Sequence, residues 1–275
     1  MNNFIGTTEN AEDCSIKNIS ALHFHFSKKT NRLGVSADEP LIIENLALGY
    51  SIKYQLEEFY LDFHEQISFY LGFPFFTELV SDRKRKRTRW EEKRNEAYLG
   101  SMLHFMRAIY KGQSVQDGFQ IIRKVKVLNI AKKQVKDMYR AYQSLLNDTM
   151  EIQKNGTLKK VHHDHIMSDD SVEYYSNILS KPDYTEVFRP VQPDSLVSTI
   201  DDETKSLFFT DSIFVVYKNP KSGSIQQSMI YLTTPAPLTI YSNGIYYPPQ
   251  ELVTNGFWGR YAKMANDLPI DYKGK

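Results

Sequence analysis

A single cysteine, Cys14, stands in 275 residues. That excludes an intramolecular disulfide and any metal centre built from several thiolates. Charge of one sign is also missing: 34 Lys and Arg face 33 Asp and Glu. No global field therefore steers the chain toward nucleic acid or an anionic membrane. No apolar run approaches the ~18 residues of a membrane-spanning helix. The opening MNNFIGTTENAEDCS has neither the basic nor the apolar stretch of a secretory leader, so the signal of an exported form is expected upstream.

Local catalytic signatures are missing too. A zinc carboxypeptidase needs His and Glu three residues apart and a further His. None of the seven histidines has Glu at that position, and neither HExxH nor GxSxG occurs. Asp13 beside Cys14 disfavours a thiolate. No catalytic residue and no cofactor is expected.

What is present is patterned. Leu22, Phe24 and Phe26 alternate with His23 and His25, and Leu33, Val35 and Ala37 alternate beyond a polar SKKTN turn. This predicts a hairpin with one buried face. Tyr50, Ile52, Tyr54 and Leu56 share a strand face; at Glu57-Glu58 the phase slips by one, and Phe59, Leu61 and Phe63 continue. Such a slip is what a β-bulge produces. Ile67, Phe69 and Leu71 form the return strand. From Asp82 as N-cap to Gly112 as C-cap the spacing predicts one long amphipathic helix. Its stripes are Trp90, Ala97, Tyr98, Met102, Phe105, Ile109 and Leu99, Leu103, Met106, Tyr110. Gly100, His104, Arg107 and Lys111 remain as a polar strip, so the C-terminal half is expected to pack on two sides.

A strand over Phe119–Val127 precedes a second helix with Val135, Met138, Tyr139, Tyr142, Leu145 and Leu146 in one stripe. Residues 151–170 read as a flexible polar loop, and Val172–Leu179 as a short helix. Strands return over Leu207–Tyr217 and Met229–Leu232. Ser242-Asn243-Gly244 predicts a type I′ hairpin, and Trp258–Leu268 a short closing helix. The fold class is α+β: largely antiparallel sheets with one long amphipathic helix and a second helix packed against them. A single domain over 1–275 is expected, with 151–170 as the place where it would divide.

Several segments taken together resemble one bacterial family. They are FIGTTENAEDCSIKN, DEPLIIENLALGYSIKYQLEEF, YLGFPFF, RWEEKRNEAYLGSMLHFMRAIY and PPQELVTNGFWGRYAKMANDLPIDY. The family is that of gram-negative proteins named for a carboxypeptidase-like regulatory domain. The resemblance runs from Phe4 to about Lys126, is patchy from Asn129 to Ser206, and returns at the C-terminal end. It implies a periplasmic or outer-membrane-associated protein in which a signal peptide and a transthyretin-like β-sandwich precede this region. That sandwich is absent from the sequence here. The family name implies an accessory module rather than a peptidase.

Three features remain as candidate sites. Arg83-Lys84-Arg85-Lys86-Arg87-Thr88-Arg89 places six cations at a helix start, against the macrodipole. Trp90 adjoins them as a ring that stacks on a base or ligand. Glu91, Glu92 and Glu96 follow and pair with Arg87, Arg89 and Lys93 if the face is merely solvated. Tyr246 and Tyr247, with Pro248 and Pro249, offer an aromatic surface for a sugar or a Pro-rich peptide. His162, His163 and His165, with Asp164, are the only residues with a metal-ligand look; neighbouring side chains on one loop diverge, so no metal site is expected.

The reading is a non-enzymatic binding or scaffold module of the cell envelope, with another envelope protein or a glycan as partner and nucleic acid not favoured. The alternatives are a hydrolase of peptide or glycan with a site assembled from distant residues, and an anion-binding module using residues 83–89. Nothing in the sequence sets the oligomeric state.

Overall fold

The computed structural model describes residues 2–65, 67–148, 150–152, 158–160 and 169–274, with backbone alone between 142 and 172. The chain forms two compact units, one of residues 1–123 with 190–275 and one of residues 124–189.

The larger unit opens with two single turns, α1 (Asn2–Ile5) and α2 (Glu9–Glu12), and the short strand β1 (Cys14–Ile16). The strands β2 (Leu22–Ser27), β3 (Arg32–Ala37), β4 (Leu41–Asn45), β5 (Tyr50–Asp62) and β6 (Ile67–Glu78) follow. Their antiparallel sheet has the order β1-β4-β5-β3-β2, with β6 on the other side of β5. The register of β5 against β6 shifts between Leu56 and Glu58, leaving Glu57 as the bulged residue, as the phase slip predicts. The β2–β3 hairpin departs from expectation: Phe24 and Phe26 are exposed, because no second layer covers that part of the sheet's face.

The helix expected as one is two. Helix α3 (Lys84–Tyr98) starts from Arg83, not Asp82, and α4 (Met102–Lys111) ends on Gly112 in the left-handed conformation, φ 70°. Gly100 between them has φ +81°, a conformation that suits glycine. Ser101 caps the new start by accepting the His104 N–H at 3.1 Å. Strand β7 (Phe119–Leu128) comes next.

The second unit contains helix α5 (Ile130–Asp148), the antiparallel pair β8 (Met150–Ile152) and β9 (Leu158–Lys160), and helix α6 (Asp169–Ser180). Helices α5 and α6 pack together. Asn129 caps α5, accepting the Lys132 N–H at 3.1 Å. Lys132 and Lys136 reach Asp183 at 3.1 and 2.7 Å. Of the expected α5 stripe, Val135 is buried but Met138 is exposed. Strand β10 (Tyr184–Val191) leads out of this unit.

Back in the larger unit, β11 (Val197–Thr199), β12 (Thr204–Leu207), β13 (Ile213–Lys218), β14 (Ile225–Leu232), β15 (Leu238–Tyr241), β16 (Tyr246–Tyr247) and β17 (Leu252–Gly256) complete the strands. They complete two more sheets, of order β10-β7-β13-β14-β17 and β11-β12-β15-β16, in which the pairs from β7 to β17 and from β11 to β16 are antiparallel. The β15–β16 connection is not type I′, since Gly244 but not Asn243 has positive φ. The expected closing helix is two separate turns, Phe257–Tyr261 and Met264–Asn266, because Lys263 between them is extended and anchored elsewhere.

Two cores result. Helix α4 lies between the two C-terminal sheets. Phe105, Met106 and Ile109 pack with Phe119, Ile213, Tyr217 and Ile230 of one sheet and with Leu207, Leu238 and Ile240 of the other. The second core lies under the N-terminal sheet, where Leu41, Ile43, Tyr50, Ile52 and Tyr54 meet Phe4, Ala97, Met264 and Ala265. Chain ends close this core: Gly6 bridges Ala262, and the Thr7 N–H donates to the Tyr261 carbonyl at 3.0 Å.

Candidate functional site

Arg83, Lys84, Arg85, Lys86, Arg87 and Arg89 are all exposed at the start of α3. The first turn holds no acidic residue, and no side chain caps it. Arg87 donates to the Ser81 carbonyl at 2.7 Å, and the Lys86 ammonium lies 4.9 Å from the Trp90 ring centre. The ion pairs described for α3 belong to its later residues: Lys93 with Glu96 at 3.0 Å and Glu9 at 3.4 Å, and Arg94 with Glu78 at 3.0 Å. The run is an exposed cationic cap.

Trp90 is not part of that exposed surface. It is buried, and its Nε1–H donates to the Leu46 carbonyl at 2.8 Å. Its ring occupies the space beside Gly49, where a Cβ would lie 2.3 Å from a ring atom. Arg94, one turn on, stacks 3.9 Å from the Tyr50 ring centre and donates to the Leu48 and Gly49 carbonyls. The helix is thus pinned to the 46–50 turn by its buried side, and Trp90 serves that anchoring.

The second aromatic site also divides. Tyr246 packs against the α4 core, and burial, with the Asp267 carboxylate adding, pushes its hydroxyl up to about 12. Tyr247 is exposed. The described residues do not unite these tyrosines with the basic run. His162, His163 and His165 lie outside the described residues, as does most of the expected 151–170 loop.

His104, expected on a polar strip, is buried among Tyr98, Phe119 and Tyr217. Its Nδ1 accepts the Gly100 N–H at 3.1 Å, so Nε2 carries the proton and faces Asp117 at 3.7 Å. Burial is the main cause that lowers it to about 4. The nitrogen that could act as a base, Nδ1, is committed to the Gly100 N–H, and the ring holds the α3–α4 break in place.

A cluster with no local signature lies near the chain ends. Burial pushes the Asp267 carboxyl up to about 6. Burial, then the Asp267 charge, raises Tyr54 and Tyr70 and pushes the Cys14 thiol up to about 12; the expected Asp13 effect is not what governs Cys14. Lys263 is lowered to about 8 by burial; its ammonium donates to the Asn3 carbonyl at 2.7 Å and to Ser68 Oγ at 2.8 Å. Perturbed acids and amines are what acid–base sites use. Here the ammonium is tied down by structure, bonded to Asn3 and Ser68. The cluster closes the second core. Lys263 and Asn3 are too far apart in sequence for any spacing to reveal it.

Among the described residues, no group of three or more His, Cys, Asp or Glu is placed to hold a metal, and no helix is long and apolar enough to cross a membrane. No protein-family model, characterised protein or solved structure matches this chain.

Proposed function

We propose that the chain is a non-enzymatic binding module of the bacterial cell envelope, in keeping with its resemblance to the carboxypeptidase-like regulatory family, and that it engages an anionic partner through the start of α3. The observation that carries this is the cationic cap. Six exposed cations sit where the helix dipole is positive, with no acid in the first turn. Each such charge costs about 0.3–1 kcal/mol before screening, and an anionic surface brought to the cap removes that cost. An acidic face of an envelope protein and a phosphate- or carboxylate-bearing glycan share the chemistry required. The hydrolase alternative would need Asp267 and Lys263 to converge on a substrate, and Lys263 is already bound to Asn3 and Ser68.

Retention on heparin in a salt gradient tests the reading. The wild type is retained and elutes earlier as salt rises, since exposed charges are screened. The triple variant Arg83→Glu, Lys84→Glu, Arg85→Glu loses retention, while its melting temperature rises because acids suit a helix start. Unchanged retention in that folded variant refutes the cap as the binding surface.

A further inference from the structure

Strand β6 is an edge. It pairs with β5, and among the described residues no other backbone bonds to it. Which of its groups face the open side follows from β4. The Ile42 N–H donates to Asn18 Oδ1 at 2.8 Å, and its carbonyl accepts the Lys17 N–H at 2.7 Å. The backbone of Ile42 thus points away from β5. Its cross-strand neighbour Lys53 therefore turns its own backbone toward β6, where Phe75 is its partner. By alternation, Ser68, Tyr70, Gly72, Pro74 and Phe76 present their backbone groups at the open edge. Pro74 agrees, since proline is tolerated where the ladder has no use for an N–H.

The alternate residues, Ile67, Phe69, Leu71, Phe73 and Phe75, form a row on the outer face of the sheet. Phe73 and Phe75 are 66% and 67% exposed. No charge occurs from Ile67 to Thr77. Natural edges are blunted by shortness or charge. The other two edges of this sheet are shorter: β1 is three residues long and β2 six. Edge β6, at twelve residues, has Pro74 alone as protection.

We propose that β6 is an isologous interface through which two copies of the chain pair antiparallel, with the two-fold axis at Tyr70. In that register Tyr70 lies opposite the partner's Tyr70, and Ser68 opposite the partner's Gly72. All of these residues have N–H donors, so about six hydrogen bonds form. Pro74 falls at the end of the pairing, where its missing donor matters least. On the outer face Ile67 meets the partner's Phe73, and Phe69 meets the partner's Leu71. Apolar side chains meet at each of these outer-face steps, while on the inner face the Lys263 ammonium stays bonded to Ser68 Oγ and the Asn3 carbonyl beside the seam. A foreign strand would need the same uncharged stretch; β6 supplies it to itself. A five-residue pairing spans about 17 Å, a contact of the small kind that makes weak interfaces, so the dimer is expected to dissociate in the micromolar range. It closes on itself because, among the described residues, each copy has one such edge.

Sedimentation velocity from about 1 to about 300 μM covers that range. The wild type shifts from a 32.0 kDa species to twice that mass, with hydrogen exchange over residues 67–76 slowing as concentration rises. Phe73→Lys stays monomeric at every concentration. Phe24→Lys removes a ring of like exposure, 64%, from β2 and dimerises as the wild type does. A wild type that remains monomeric, a Phe73→Lys variant that dimerises normally, a Phe24→Lys variant that does not, or growth beyond the dimer each overturns the proposal.

Discussion

The two cores of the larger unit are built to different standards. The one around α4 is closed on both sides by sheets, and the imidazole beside it, His104, is kept neutral by burial with its Nδ1 accepting the Gly100 N–H. The one under the N-terminal sheet is closed by chain ends. Asp267, Lys263 and Arg94 sit in its wall, and its sheet keeps an open edge and an exposed aromatic row. A core between two layers is walled by backbone whose polar groups are paired within the sheets and the helix. A core covered by segments from the ends must anchor them with side-chain bonds, and charge enters with those anchors.

The largest expected effect tests the closed core. Phe105 is fully buried, with ring centres 5.3 Å from Phe119 and 5.4 Å from Trp258. Phe105→Ala leaves a cavity with walls on both sides that cannot collapse and costs about 3–5 kcal/mol in urea unfolding. A loss no greater than about 1 kcal/mol would show that the layers close up and that this core is the looser one.

Next in size is the hinge between helix and sheet at the second core. Gly49 has φ +70°, and a Cβ there would overlap the Trp90 ring. Gly49→Ala therefore strains the backbone and displaces the indole together, at roughly 2–3 kcal/mol. Loss of the Leu46 hydrogen bond exposes the ring, so tryptophan emission moves to the red. Stability lost without that spectral shift would locate the strain in the turn alone.

Residues that act locally were the legible ones. The slip at Glu57 shows as a change of strand phase, and the Gly112 stop shows as glycine after a periodic run; each is set by immediate neighbours. The two-sided packing of α4 was also legible, because apolar residues cover most of its circumference. The α3–α4 break was written as Gly100-Ser101, a left-handed residue followed by a cap, but apolar stripes on either side of it mask the signal. Trp90 read both as the first residue of the apolar stripe and, beside the cations, as a candidate ligand ring; its partner, the turn at Leu46–Gly49, is brought beneath it only by the fold and decides for the stripe. Alternation identifies Phe24 and Phe26 as strand residues but carries no information on whether a second layer covers them. The Lys263–Asn3 contact joins opposite ends of the chain and leaves no spacing to read.

The smallest effect separates the cores by the sign of their pH dependence. His104 has a folded pKa near 4, below the usual histidine value of 6.5. The unfolded chain therefore takes up the proton first, and stability is lost as pH falls from 6.5 toward 4. Asp267 has a folded pKa near 6, above the usual carboxyl value. The folded chain takes up that proton first, so stability is gained as pH falls through 6, and the gain is complete below the unfolded pKa. Asp267 is partly exposed, and water trims its contribution to on the order of 1 kcal/mol. Asp267→Asn should thus be more stable than the wild type at pH 8, with the advantage narrowing through pH 6 and gone near pH 4. The decline left in that variant between pH 6.5 and 4 then includes the protonation of His104. Denaturant midpoints taken across this range measure both slopes. An Asp267→Asn advantage that is independent of pH would mean the carboxylate is not held in the wall of the second core at all.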